Sequence, residues 1–152
     1  MKAPPIETIV HESVAFTVLG PPRPKERARV TARGTFTPRR TREYERAIAD
    51  QGAWHCGAAW ALDGAYRVLV TFVFANHRRR DVDNCLKCVL DGLNGIAWDD
   101  DCQVVTATCS KRVGDVERTE VLVERLDLPE VDVRRRRPRR ATRRDVERRV
   151  RV

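Results

Sequence analysis

The residues best suited to chemistry in this chain are aspartates: Asp81 and Asp83, one residue apart, and the run Asp99-Asp100-Asp101 downstream. Two ionised carboxylates held close repel one another, and a hard divalent cation between them removes that cost. On extended backbone the one-residue spacing of Asp81 and Asp83 sends both side chains the same way. Mg2+ prefers carboxylate oxygens and keeps several waters, so two or three Asp and a phosphate oxygen would complete its shell. The 99–101 run offers the third ligand. Lys87 follows Asp83 by four residues, one helical turn, and a cation there would neutralise charge developing on a scissile phosphate. Blander readings stand beside each of these: Asp83 as a helix N-cap, Asp83 and Lys87 as an ordinary i,i+4 pair, the three consecutive Asp as a solvated turn.

Other chemistries fail on inspection. An EF-hand loop opening at Asp81 needs Gly at 86 and Glu at 92, where the chain has Leu86 and Gly92. No GxxxxGK[ST] loop, HExxH helix or GxSxG elbow is present. Cys85-x-x-Cys88 could join His77 and Cys102 in a zinc set, but both cysteines fall inside an amphipathic segment beside its apolar stripe, and no second CxxC occurs. Buried free thiols are the better reading. His11 and His55 have no partner identifiable from spacing.

The elements that must position these groups can be read from periodicity. Val14–Leu19 reads as a strand ended by Gly20-Pro-Pro-Arg-Pro, and residues 29–37 as a hairpin turning at Arg33-Gly34. With Thr41 as N-cap, a helix is expected from about Arg42 to Leu62, with Tyr44, Ile48 and Trp54 on its apolar side. Residues 65–75 alternate: Tyr66, Val68, Val70, Phe72 and Phe74 share one face, Arg67, Leu69, Thr71 and Val73 the other. Neither face is strongly polar, which places this strand centrally in a sheet. A second helix capped by Asp83 carries Leu86, Val89, Leu90 and Leu93 as its stripe, with Asp83, Asn84, Lys87 and Asp91 on an adjacent polar arc, and closes at Asn94-Gly95. Two more strands, 104–112 and 118–125, meet near Gly114-Asp115. The sum is an α+β domain: a mixed β-sheet with two main helices packed on it.

Charge divides the chain. The 152 residues carry net +8, yet residues 134–152 alone hold eleven Arg against Asp145 and Glu147, net +9, so the other 133 residues sum to −1. We therefore separate a domain at 1–130 from an Arg-rich tail at 131–152, disordered or partly helical on an anionic partner. Phosphate is the obvious partner for arginine forks, and a solvated end or an acidic membrane surface are the bland ones. The residues 1–11 lack an apolar leader core, and the longest apolar stretch, 68–75, is strand-sized. Five cysteines without a secretory pattern fit reduced thiols in a cytoplasmic protein with no membrane span.

At Arg80-Asp-Val-Asp-Asn-Cys-Leu-Lys-Cys-Val-Leu-Asp-Gly-Leu-Asn-Gly95 and Trp98-Asp-Asp-Asp-Cys-Gln-Val-Val105 the chain resembles the RusA family of Holliday-junction resolvases, with looser likeness at residues 21–29 and at Tyr44-Glu45. The resemblance covers about residues 13–126. It implies a homodimeric, RusA-like fold in the cytoplasm of a bacterial or phage-infected cell. It also implies a role in DNA recombination and repair: nicking branched, four-way DNA symmetrically with Mg2+, or with Mn2+ in its place. Carried over by position, Asp81, Asp83 and Asp101 are its catalytic and metal-binding acids, Asp100 a neighbouring ligand and Lys87 its catalytic lysine. Assignment within 99–101 stays open by one residue. Lys25, Arg27, Arg29, Arg78, Arg79 and Arg80 are candidates to hold phosphates beside the cut. The competing reading is a non-catalytic DNA-binding protein acting through its basic tail, in which the acids only cap a helix.

Overall fold

A computed structural model describes residues 9–128; the Arg-rich tail and the boundary drawn before it lie outside the described residues. The elements are β1 (Ile9–Leu19), a hairpin of β2 (Arg29–Thr31) and β3 (Gly34–Phe36), α1 (Arg39–Cys56), β4 (Ala65–Phe74) and α2 (Val82–Gly92). A 3-10 turn (Asp101–Gln103), β5 (Val104–Val113) and β6 (Arg118–Asp127) complete the order. Four strands make one mixed sheet in the order β1-β6-β4-β5, and among the described residues β2 and β3 pair only with each other. This is the α+β architecture that the periodicities predict, with β4 inside the sheet as its two-sided apolar pattern requires.

The core lies on one face of that sheet. Tyr66, Val68, Val70, Phe72 and Phe74 of β4 are buried with Phe16 and Val18 of β1 and Val121 and Val123 of β6, under Tyr44 and Ile48 of α1 and Cys85, Cys88 and Val89 of α2. Each large apolar side chain fully removed from water contributes on the order of 1.5–3 kcal/mol, so this layer fixes where α2 can lie. On the opposite face Leu69 remains exposed, and Arg67 pairs there with Glu124.

β4 and β5 run parallel, with Val104 beside Tyr66 and Val113 beside Phe74. Parallel neighbours cannot be joined by a tight turn, so the chain must cross back between them, and α2 is that crossover. Its N-terminus therefore stands at the Phe74 end of the strand pair, and the 3-10 turn that precedes β5 stands at the Tyr66 end.

Both helices depart from the expected boundaries. α1 begins at Arg39, directly after Pro38 (φ −54°), and ends where Gly57 takes φ +68°. Proline supplies a helix-compatible φ without an N–H to satisfy, and the left-handed glycine stops the helix well before Leu62. Thr41 is thus a buried residue of the first turn and caps nothing. The buried stripe is Thr41, Tyr44, Ile48 and Gly52. Trp54, about 240° around the axis from Ile48, is 83% exposed. The N-cap position of α2 lies two residues earlier than expected, at Asp81 rather than Asp83. Its buried stripe turns toward Cys85, Cys88 and Val89, leaving Leu86 and Leu90 half-buried. Among the described residues no helix is long and apolar enough to cross a membrane.

Candidate active site

The first turn of α2 carries two acids and a base in solvent. Asp81 has extended backbone (φ −92°, ψ 109°), whereas Val82 and Asp83 are already helical. The two carboxylates are therefore not side by side on a strand, as their spacing suggested, but on the lip and first turn of a helix, where the N-terminal dipole favours anions. Both are exposed, and neither caps the helix or enters a hydrogen bond or ion pair among the described residues. Their charge is unspent. Lys87 projects one turn on, 58% exposed, with its ammonium 3.8 Å from Asp91 Oδ1.

The electrostatics of α2 locate these acids against β5. Burial pushes the Cys85 thiol up to about 11; nearby Arg80 opposes this, while Cys109, Asp81 and Asp83 add to it. Burial and Asp83 also raise the Cys109 thiol. Asp83 therefore faces the middle of β5, where Cys109 lies opposite Val70. Burial alone dominates at Cys88, whose thiol reaches about 12. Both α2 cysteines are core residues, His77 and Cys102 are exposed, and a zinc set from these four does not form.

The 99–101 run is divided by role. The Asp100 side chain caps the 3-10 turn, accepting from the Asp101 N–H at 3.1 Å, while Gln103 Oε1 accepts from the Asp100 N–H at 3.0 Å. Gln103 Nε2 in turn donates to the carbonyls of Leu62 (2.8 Å) and Gly64 (3.1 Å), which staples the turn to the start of β4. Asp101 is half-buried with no hydrogen bond from its carboxylate among the described residues. At ~3.3 Å per residue the stretch from Val104 to Cys109 spans roughly 17 Å. One chain thus places Asp81 and Asp83 at the start of α2 and holds Asp100 and Asp101 toward the other end of the β4–β5 pair. Among the described residues no three His, Cys, Asp or Glu side chains converge as a ready metal set.

Basic groups rim the α2 end. Asn76 Oδ1 accepts from the Arg78 N–H (3.1 Å) and from Arg80 Nη2 (3.4 Å), winding the 76–80 loop into a tight turn. Arg78 and Arg79 point to solvent, while the Arg80 guanidinium lies 4.6 Å over the Phe74 ring with its Nε buried and without a hydrogen-bond partner among the described residues. Arg27 and Arg29 are exposed. Lys25 differs: it is part-buried and paired with Glu45 and, at 3.0 Å, with Asp91. Lys111, which donates to the Arg80 carbonyl at 3.1 Å, carried no signal in the sequence, and Glu45 stood there only within a loose likeness, because chain folding alone makes them neighbours of the site. Asp91 was visible as one member of a polar arc within the matching block, with no role attached to it.

Against protein-family models, residues 20–124 match the one described as Endodeoxyribonuclease RusA. No curated protein matches the chain. The matched span holds every acid and base described above and stops short of the Arg-rich tail.

Proposed function

The chain belongs to the RusA endodeoxyribonuclease family, and we propose that it is a Mg2+-dependent enzyme resolving four-way DNA junctions by paired, symmetric nicks. The observation that carries this reading is the pair of unspent, exposed carboxylates at the start of α2, with Lys87 one turn away and arginines around them. Hard oxygen ligands of that kind fit Mg2+, with Mn2+ as a substitute. Bound there, the metal would supply a water ionised near neutral pH and compensate charge on the phosphoryl oxygens. Asp81, Asp83 and Asp101 are the residues we assign to hold it, with Asp100 fixing the turn beside Asp101.

The protein's own groups do the rest. Lys87 is tethered only loosely by Asp91, so its ammonium is available to a phosphate whose negative charge grows during in-line displacement. Arg27, Arg29, Arg78 and Arg79 are free to grip flanking phosphates, and the stacked Arg80 offers a pre-oriented fork beside Asp81. Such contacts read backbone shape rather than base sequence.

The separation of Asp101 from Asp81 and Asp83 favours a homodimer. Among the described residues β5 is an edge strand with an unpaired side. Pairing it antiparallel with β5 of a second copy would set the start of one strand against the end of the other. That carries Asp101 of one copy toward Asp81 and Asp83 of its partner, and gives two equivalent sites for two opposed cuts. The test is a cleavage assay on a four-way junction against linear duplex of the same sequence, with Mg2+ and then Mn2+. Paired nicks at symmetric positions in the junction alone are expected. Binding without any cut would leave only the tail-driven DNA-binding reading.

A further inference from the structure

Lys25 sits where three elements meet. Its ammonium pairs with Glu45 of α1 and Asp91 of α2, both part-buried, and its own N–H donates to the carbonyl of Asn84 in the first turns of α2 at 2.9 Å. The surrounding segment, residues 21–28, has no regular secondary structure, and Pro21, Pro22 and Pro24 bring no N–H groups with which to anchor it. Burial works against the Lys25 charge, but the hydrogen bonds it donates to Glu45 and Asp91, with their negative charge, outweigh it and hold the ammonium above its ordinary range. A side chain so engaged is not a free cation. Asp91 is also shared: its two oxygens lie 3.0 Å from Lys25 and 3.8 Å from Lys87.

We propose that Lys25 is a positioning residue and not a phosphate contact. It pins the 20–29 loop to α1 and to the first turns of α2, which fixes where the chain leading to Arg27 and Arg29 departs, and it occupies Asp91 so that Lys87 stays free for the substrate. Four charges, two of each sign, balance across the cluster. Loss of Lys25 would loosen the arginine loop and leave Asp91 wholly to Lys87, drawing that ammonium away from the scissile phosphate. The kinetic half of this inference rests on the nuclease reading above; the structural half does not.

Glu45→Gln separates the alternatives, because it weakens the clamp while leaving the Lys25 charge in place. The full-length protein is compared with Glu45→Gln, Lys25→Met and Lys25→Met/Asp91→Asn. The readouts are junction affinity across a salt series, trypsin cleavage after Arg27 and Arg29 without DNA, and kcat apart from KM. A positioning role predicts that Glu45→Gln weakens junction binding by about 3- to 10-fold and speeds cleavage of the loop, and that Lys25→Met leaves the salt slope unchanged. It also predicts that Lys25→Met lowers kcat and that adding Asp91→Asn restores kcat but not affinity. Tighter junction binding by Glu45→Gln, or a slope reduced by about one phosphate in Lys25→Met, would overturn the proposal by showing Lys25 to be a phosphate contact. A kcat loss unrelieved by Asp91→Asn overturns the link to Lys87. If the wild-type protein cuts no junction the nuclease reading fails, and the proteolysis and binding comparisons still decide the role of Lys25.

Discussion

The Lys111 ammonium, near the end of β5, donates to the backbone carbonyl of Arg80 at 3.1 Å. This ties the edge strand to the residue that immediately precedes Asp81, so the lip of α2 is held from the sheet as well as from its own helix. Lys111 is exposed, and its removal should cost little stability, on the order of 0.5–1.5 kcal/mol for one hydrogen bond. Lys111→Met should nevertheless slow junction nicking several-fold by loosening Asp81. Comparing Tm with single-turnover rate tests this, and an unchanged rate would show the tether to be idle.

Asp83→Asn and Asp101→Asn should each abolish Mg2+-dependent nicking while junction binding is kept or strengthened, since each removes negative charge that repels DNA. Mixing the two inactive proteins offers a sharper check. If the acids act across a two-fold interface, mixed dimers regain one complete site and cut one strand. No recovery on mixing would place all three acids in the same chain's site.

At Gly92, α2 lies tight against the backbone of α1. A Cβ there would meet the Glu45 carbonyl oxygen at 2.9 Å and Ile48 Cγ2 at 3.2 Å. Backbone cannot move aside as a side chain can, so Gly92→Ala should destabilise by about 1–3 kcal/mol, the usual cost of overpacking. Because Asp91 is adjacent, the clamp on Lys25 should loosen with it. Chemical denaturation and trypsin sensitivity of the 20–29 loop are the measurements.

Thr41 is fully buried and its hydroxyl has no partner among the described residues. A buried polar group without a hydrogen bond costs free energy that an apolar group of the same shape does not. Thr41→Val should therefore be neutral or stabilise by up to about 1 kcal/mol, in contrast to most core substitutions. A clear loss of Tm would mean that the hydroxyl is satisfied in solution.

The Cys88 thiol gives a pH dependence of definite sign. Its ordinary value near 9.0 is pushed up to about 12 by burial. Both states keep the proton below pH 9, so stability there is fully present. Between about 9 and 12 the unfolded chain ionises and the folded one does not, and stability falls. Each unit of that gap corresponds to about 1.4 kcal/mol. Urea midpoints at pH 8, 9 and 10 should decline, and less steeply in Cys88→Ala.

The sequence by itself determined what is local. The alternation of residues 65–75 gave both the strand and its place inside the sheet, since strands with little polarity on either face are those of a sheet's interior. The Asp81–Lys87 block was legible because one short stretch carries its acids and its base at helical spacing. Helix ends were read less well: Thr41 looks like a cap, but Pro38 starts α1 earlier, and that early start makes Thr41 a core residue. Tertiary structure alone decided the rest. The parallel placement of β5 beside β4 sets Asp101 at one end of the ladder and Asp83 nearer the other, which no spacing along the chain could reveal. Lys25 reads in sequence as one more cation of a basic loop, yet its partners Glu45 and Asp91 lie 20 and 66 positions away. The physical reason is common to both cases. Periodicity reports which way a side chain faces on its own element, whereas charge pairing and metal sharing depend on which elements the hydrophobic core brings together.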